Sequence, residues 1–127
     1  MTWIPSIELI ETIFEEQLKR PAEYLNKNHL ESALDVLHFG FPFRNEPLSI
    51  FEQAAVLMRN IVQYQVFIDG CKRIGIHVSY VFLWKNRFVV HPPDPEEMFK
   101  FPMAVAKGDL TLKYLAKWFR DNSKELA

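Results

Sequence analysis

The residues with most chemical potential lie together at Phe67-Ile68-Asp69-Gly70-Cys71-Lys72-Arg73. This stretch holds a carboxylate, a thiol and two cations beside a glycine, between two strongly apolar segments. Asp69 and Gly70 are turn and N-cap residues, with Asp69 expected to serve as an N-cap, so the pattern predicts a helix starting just after them and running through Ile74–Trp84. A helix start leaves backbone N–H groups unpaired and carries the positive end of the helix dipole. Phosphate suits such a place. Lys72 and Arg73 strengthen the expectation, because cations beside a positive dipole end are poorly placed unless an anion joins them.

Other chemistries at the same residues are weaker. A thiol at a helix N-terminus next to two cations has a lowered pKa and becomes reactive, whereas a buried Cys71 is simply a small apolar residue. A phosphatase loop of the Cys-x5-Arg type needs an arginine where His77 stands, which excludes that class. Asp69 alone gives weak metal affinity unless bound phosphates add ligands. Among His29, His38, His77 and His91 no pair has metal-ligand spacing, which argues against zinc. His77 interrupts an apolar helix and is expected as a core histidine bonded to a neighbour.

A chain of 127 residues accommodates one domain with one real core. Its 49% hydrophobic and 14% aromatic content argues against disorder. Fifteen Lys and Arg against sixteen Asp and Glu leave a net charge of −1, so no basic excess points to DNA or RNA. The single cysteine forbids an internal disulfide, and no basic-then-apolar leader opens the chain. Ile74–Trp84, the longest apolar run, is too short to span a bilayer. A soluble cytoplasmic domain is the expectation.

The elements that must position the turn follow from caps and periodicity. Ser6 caps a first helix with Ile7, Ile10, Phe14 and Leu18 on one face, and Pro21 ends it. Asn26-Lys27-Asn28 is turn chemistry before a second helix with Leu30, Ala33, Leu34 and Leu37 inward and Gly40 as its stop. Phe41–Pro47 holds two prolines and reads as a connecting loop pinned by its aromatics, or as a flap beside a site. Ser49 and Glu52 fit a capping box for a third helix through Val62, ending near Tyr64-Gln65. Ile74–Trp84, apolar nearly all round, is expected as the central helix. Arg87–Val90 reads as a short extended segment. Asp94-Pro95-Glu96-Glu97 opens a helix that contains Pro102 and stops at Gly108. Thr111 opens a last helix with Leu112, Leu115, Trp118 and Phe119 inward, and 121–127 reads as a frayed, flexible polar tail. The expected architecture is an all-α, single-domain helical bundle over residues 1–127.

Gln65-Val66-Phe67-Ile68-Asp69-Gly70-Cys71-Lys72-Arg73 resembles the signature of the Fic/Doc family, His-Pro-Phe-x-Asp-Gly-Asn-Lys-Arg in its Doc (death-on-curing) branch. His29-Leu30-Glu31-Ser32-Ala33-Leu34 looks like the family's early LESAL helix. Ala104-Val105-Ala106-Lys107-Gly108-Asp109-Leu110 looks like its late AVA-x-G-x-L segment. The likeness spans most of the chain in the right order.

The resemblance implies a helical domain that binds a nucleotide such as ATP with Mg. Such a domain transfers AMP, or in Doc phosphate, to a hydroxyl of a protein substrate, and it also implies an antitoxin-like partner protein. By position, Phe67 anchors the loop in the core and Asp69 helps to hold the metal. Gly70, Cys71, Lys72 and Arg73 form the nucleotide and phosphate site, with Gly70 admitting the backbone to the phosphates and the two cations neutralising them. Gln65 stands where the family has its catalytic histidine. A neutral amide takes no proton near pH 7, so the family's transfer mechanism loses its general base. Cys71 replaces an asparagine donor, while Val66 for Pro and Ile74 for Thr are milder changes. Three functions remain open: an impaired member that binds nucleotide or protein, a transferase working by a variant mechanism, and a non-catalytic helical interaction domain.

Overall fold

The helices start where their caps stand. In the computed structural model, which describes residues 1–127, Ser6 accepts from the Leu9 amide at 3.1 Å and opens α1, Ile7–Leu18. Helix α1 buries Ile10, Ile13 and Phe14 and ends at Lys19, whose φ of 58° turns the chain out of the helix. Helix α2, Lys27–Phe39, buries Leu30, Ala33, Leu34 and Leu37 and stops at Gly40. Ser49 and Glu52 complete their capping box at the start of α3, Ile50–Met58, through bonds of 3.1 and 2.9 Å. Arg44 grips the same Glu52 carboxylate, bonding its second oxygen at 3.1 Å, and thereby holds that carboxyl below the usual carboxylate range. The Phe41–Pro47 loop is thus tied down at its middle, with Phe41 and Phe43 stacked at 5.1 Å.

Helix α3 runs on as one π-helical turn, Arg59–Gln63, which no capping or periodicity signal announces. Tyr64 and Val66 donate to the Arg59 and Ile61 carbonyls, five residues back, at 3.3 and 3.2 Å. Helix α4, Cys71–Lys85, follows after a short loop. Asn86 closes it and clasps the N-terminal segment, accepting from the Trp3 amide at 2.8 Å and donating to the Trp3 carbonyl at 2.9 Å. Asp94 caps a tight turn, accepting from the Glu96 amide at 3.0 Å, and α5 proper is Glu97–Lys107 with buried Pro102 inside it. Thr111 caps α6, Leu112–Asp121. Phe101 and Trp118 stack face to face at 3.8 Å and join α5 to α6. No helix is long and apolar enough to cross a membrane.

The architecture is all-α apart from one short ribbon, and its 27 buried apolar residues form a single cluster. Two expectations need correction. The helix covered on all sides is α3, in which every residue from Gln53 to Met58 is buried. Helix α4 instead buries one face and leaves Ile76, Tyr80, Val81 and Trp84 partly or largely exposed. Apolar composition reports a preference for burial, but the shortage of neighbours on that side decides the outcome. Residues 121–127 are not a frayed tail either. Ser123–Glu125 forms β2, antiparallel to β1, Phe88–Val90, with Phe88 opposite Glu125 and Val90 opposite Ser123. Backbone pairing needs no apolar alternation, so a polar triplet gives no warning of it.

Gly75 marks the closest approach of α4 to α3 and its π turn. A Cβ built there stands 2.3 Å from Val62 Cγ2, far closer than van der Waals contact allows, and touches Met58 Sδ. Alanine in a helix interior normally stabilises by about 1 kcal/mol over glycine. Here overpacking of roughly 1–3 kcal/mol opposes it. Gly75→Ala is therefore expected to lower the midpoint of denaturant unfolding, and a raised midpoint would show that the two elements have room to part.

Candidate functional site

Phe67 is fully buried, with its ring centroid 4.8 Å from Phe14 and 5.2 Å from Tyr24. Its neighbours pair in an extended bridge with the segment before α2. Leu25 and Asn26 amides reach the Val66 carbonyl at 2.8 and 3.0 Å, and the Ile68 amide reaches Glu23 at 3.0 Å. The loop between the π turn and α4 is thus rooted in the core through Phe67, the residue for which the family resemblance implies an anchor.

Gly70, with φ 77°, occupies the N-cap position of α4 and supplies no side-chain cap. The space that a side chain would need there is filled by Leu18, so the glycine lets the turn lie on α1. Asp69 is not the N-cap expected of it. It stands one residue too early, and its largely exposed carboxylate pairs with Arg20 at the end of α1. Arg20 in turn lies 5.3 Å over the Phe14 ring. The Asp69–Arg20 pair therefore braces the turn against α1 from outside, while Phe67 holds it from within.

The first intrahelical bond of α4 runs from the Ile74 amide to the Gly70 carbonyl at 2.9 Å. The Cys71, Lys72 and Arg73 amides donate to no protein group, as expected of an uncapped helix start. The Lys72 and Arg73 side chains are exposed and join no ion pair. Three free donors and two free cations therefore gather at one helix end. Cys71 contributes only its amide, since its buried thiol donates to the Phe67 carbonyl at 3.2 Å. Burial pushes the Cys71 thiol up, against the pull of Lys72. The reactive-cysteine reading fails on that geometry.

Gln65 lies at the far end of the loop, exposed, with φ 51°. Asn26 holds this bend, donating to the Tyr64 and Gln65 carbonyls at 3.1 and 3.2 Å. The Gln65 side chain has no hydrogen-bond partner and lines neither of the two principal cavities. No three His, Cys, Asp or Glu side chains gather where they could hold a metal ion.

The larger cavity, about 750 Å³, is a groove between α4 and α5 that starts at the two cations. Gln17, Lys72, Arg73 and His77 surround one end. Along it, Ile76, Tyr80, Val81 and Trp84 of α4 face Met98, Phe99, Pro102 and Met103 of α5. His77 is half-exposed here rather than a bonded core histidine, because it shares the Arg73 face of the helix, four residues on. Sequence reasoning missed the groove, although Lys72, Arg73, Ile76, His77, Tyr80, Val81 and Trp84 recur at helical spacing. The Phe41–Pro47 loop lines a separate cavity of about 310 Å³ beside the end of α2.

Comparison with protein-family models and with curated proteins returns no match for this chain.

The buried thiol gives a direct test of this geometry. Native protein at pH 8 is expected to resist a thiol-specific disulfide reagent and to react fully once unfolded. The folded state keeps the Cys71 proton while the unfolded chain releases it near pH ~8.5. Stability therefore falls as pH rises through that value and onward toward the folded pKa. Rapid native labelling, or stability rising over that range, would contradict the buried placement.

Proposed function

We propose that this chain is a Fic/Doc-like protein that binds the phosphates of a nucleotide at the Asp69–Arg73 turn and is impaired in group transfer. The observation that carries the reading is the set of unpaired amides at Cys71–Arg73 beside two cations without ion-pair partners. Charge-assisted bonds from a guanidinium or ammonium, joined to oriented amides, are the usual means of holding a phosphoryl group. Gly70 keeps the turn tight, and Phe67 with the Asp69–Arg20 pair keeps it in place.

The protein groups fit a phosphate better than they fit a metal. Asp69 is the one carboxylate of the turn and is engaged by Arg20. A magnesium ion would need Asp69 freed from that pair and most of its ligands taken from phosphates and water. When bound, the ion would neutralise phosphate charge. The impairment follows from Gln65. Its amide accepts no proton, and its side chain is held by nothing that would present it to a hydroxyl. AMP or phosphate transfer to a protein hydroxyl therefore lacks its base, while binding does not.

Calorimetric titration with Mg-ATP, beside an Arg73→Ala variant, tests the binding half. Saturable heat is expected in the parent protein, with affinity falling about tenfold or more when the guanidinium is removed. A Gln65→His variant is then expected to gain transfer onto protein hydroxyls relative to the parent. Absence of heat in both proteins would overturn the reading and leave a helical interaction domain, the antitoxin-like partner included, as the better one.

A further inference from the structure

We propose that the α4–α5 groove is a binding site for a free single-chain anionic amphiphile, a fatty-acid-like carboxylate, with its head group at Lys72 and Arg73. The inference shares those two cations with the nucleotide reading but does not depend on a nucleotide.

The chemistry of the lining is graded along the groove. Lys72 and Arg73 stand at one end, and Val81, Trp84, Met98 and Phe99 continue away from them, with the Lys85 ammonium outside the lining, 5.7 Å over the Trp84 ring. Trp84 and Phe99 remain 57% and 75% exposed, which soluble proteins rarely leave together in a concave apolar site unless something covers it. Methionines flanking such a site adapt to flexible apolar ligands. Tyr80 adds an independent sign. The residue lines this cavity, while its hydroxyl is closed off from solvent and has no hydrogen-bond partner. Side chains on a helix lean toward its N-terminus, so that hydroxyl leans over the turn carrying His77 and toward Arg73. A rotation of the Tyr80 ring that opens this hydroxyl to the groove lets an acidic head group supply the missing acceptor.

From Lys72 to Trp84 the helix rises about 18 Å, which matches an extended chain of about a dozen carbons. The open groove of about 750 Å³ accepts one such chain along its length. A nucleotide base is less suitable beyond the cations, because past Tyr80 the Trp84 indole N–H is the one polar side-chain group that the walls offer its edge.

Calorimetry of the whole protein with octanoate, decanoate and laurate, each as monomer, tests the proposal. One-to-one binding is expected, tightening by up to roughly fourfold per added methylene. Dodecanol should bind at least tenfold more weakly than laurate. Arg73→Ala should remove that preference for the acid, and Trp84→Ala should flatten the chain-length dependence. Both residues are exposed, so neither change threatens folding. Equal affinity for the alcohol, no binding of laurate monomers, or binding only to anionic vesicles or to an acidic helical peptide would overturn the proposal. ATP binding without laurate binding would sink this inference alone. Laurate binding without ATP binding would sink the nucleotide reading alone.

Discussion

Burial of the stretch from Gln53 to Val62, complete but for the partly exposed Arg59, is the constraint on which the fold depends. Helices α2, α4, α5 and α6 all pack on it or on its π turn. A segment covered on every side leaves its neighbours no choice of face. Each must turn its own apolar stripe inward, and Gly75 shows how close the approach becomes. Two buried polar side chains obey the same constraint, whereas Gln53 Oε1 and the Tyr80 hydroxyl have no partner. Asn60 donates to the His29 carbonyl at 2.9 Å, and Ser79 donates to the Gly75 carbonyl at 2.8 Å. A buried polar side chain is tolerated where it is paired.

The π turn converts that buried helix into the loop that carries the candidate site. An extra residue per turn delays the helix end, after which Gln65 takes a positive φ and Val66 and Phe67 drop back into the core. Such turns often occur at functional places because they release the chain from helical register at a chosen point. The consequence is a division of labour within the motif. Val66 and Phe67 secure it, Asp69 braces it to Arg20, and Lys72 and Arg73 are left unpaired toward the groove. Unpaired cations at the positive end of a helix are an unresolved electrostatic arrangement. A nucleotide phosphate and an acyl carboxylate are two anions that would resolve it.

Legibility followed the range of the interaction that decides each feature. Ser6, the Ser49–Glu52 box and Thr111 act within one helical turn, and each caps where its spacing predicts. Phe67 was expected as an anchor only through the family resemblance of its motif, and nothing in its local sequence required it. Asp69 was misread because its partner, Arg20, lies 49 positions away and competes with the local cap. His77 and the outer face of α4 were misread because apolar residues imply burial only if a neighbour arrives. Cys71 could be read either way until its depth was known.

The sequence by itself determined the helical class, most helix starts and stops, and the gathering of a carboxylate and two cations at one turn. These depend on caps, glycines and periodicity, which are local and cooperative over a few residues. Only the tertiary structure decided which helix is central, that residues 123–125 pair with β1, that the Cys71 thiol faces inward, and that α4 and α5 leave a groove between them. Those outcomes depend on contacts between distant segments. Chain entropy and packing settle such contacts for the molecule as a whole, and no short window of residues encodes them.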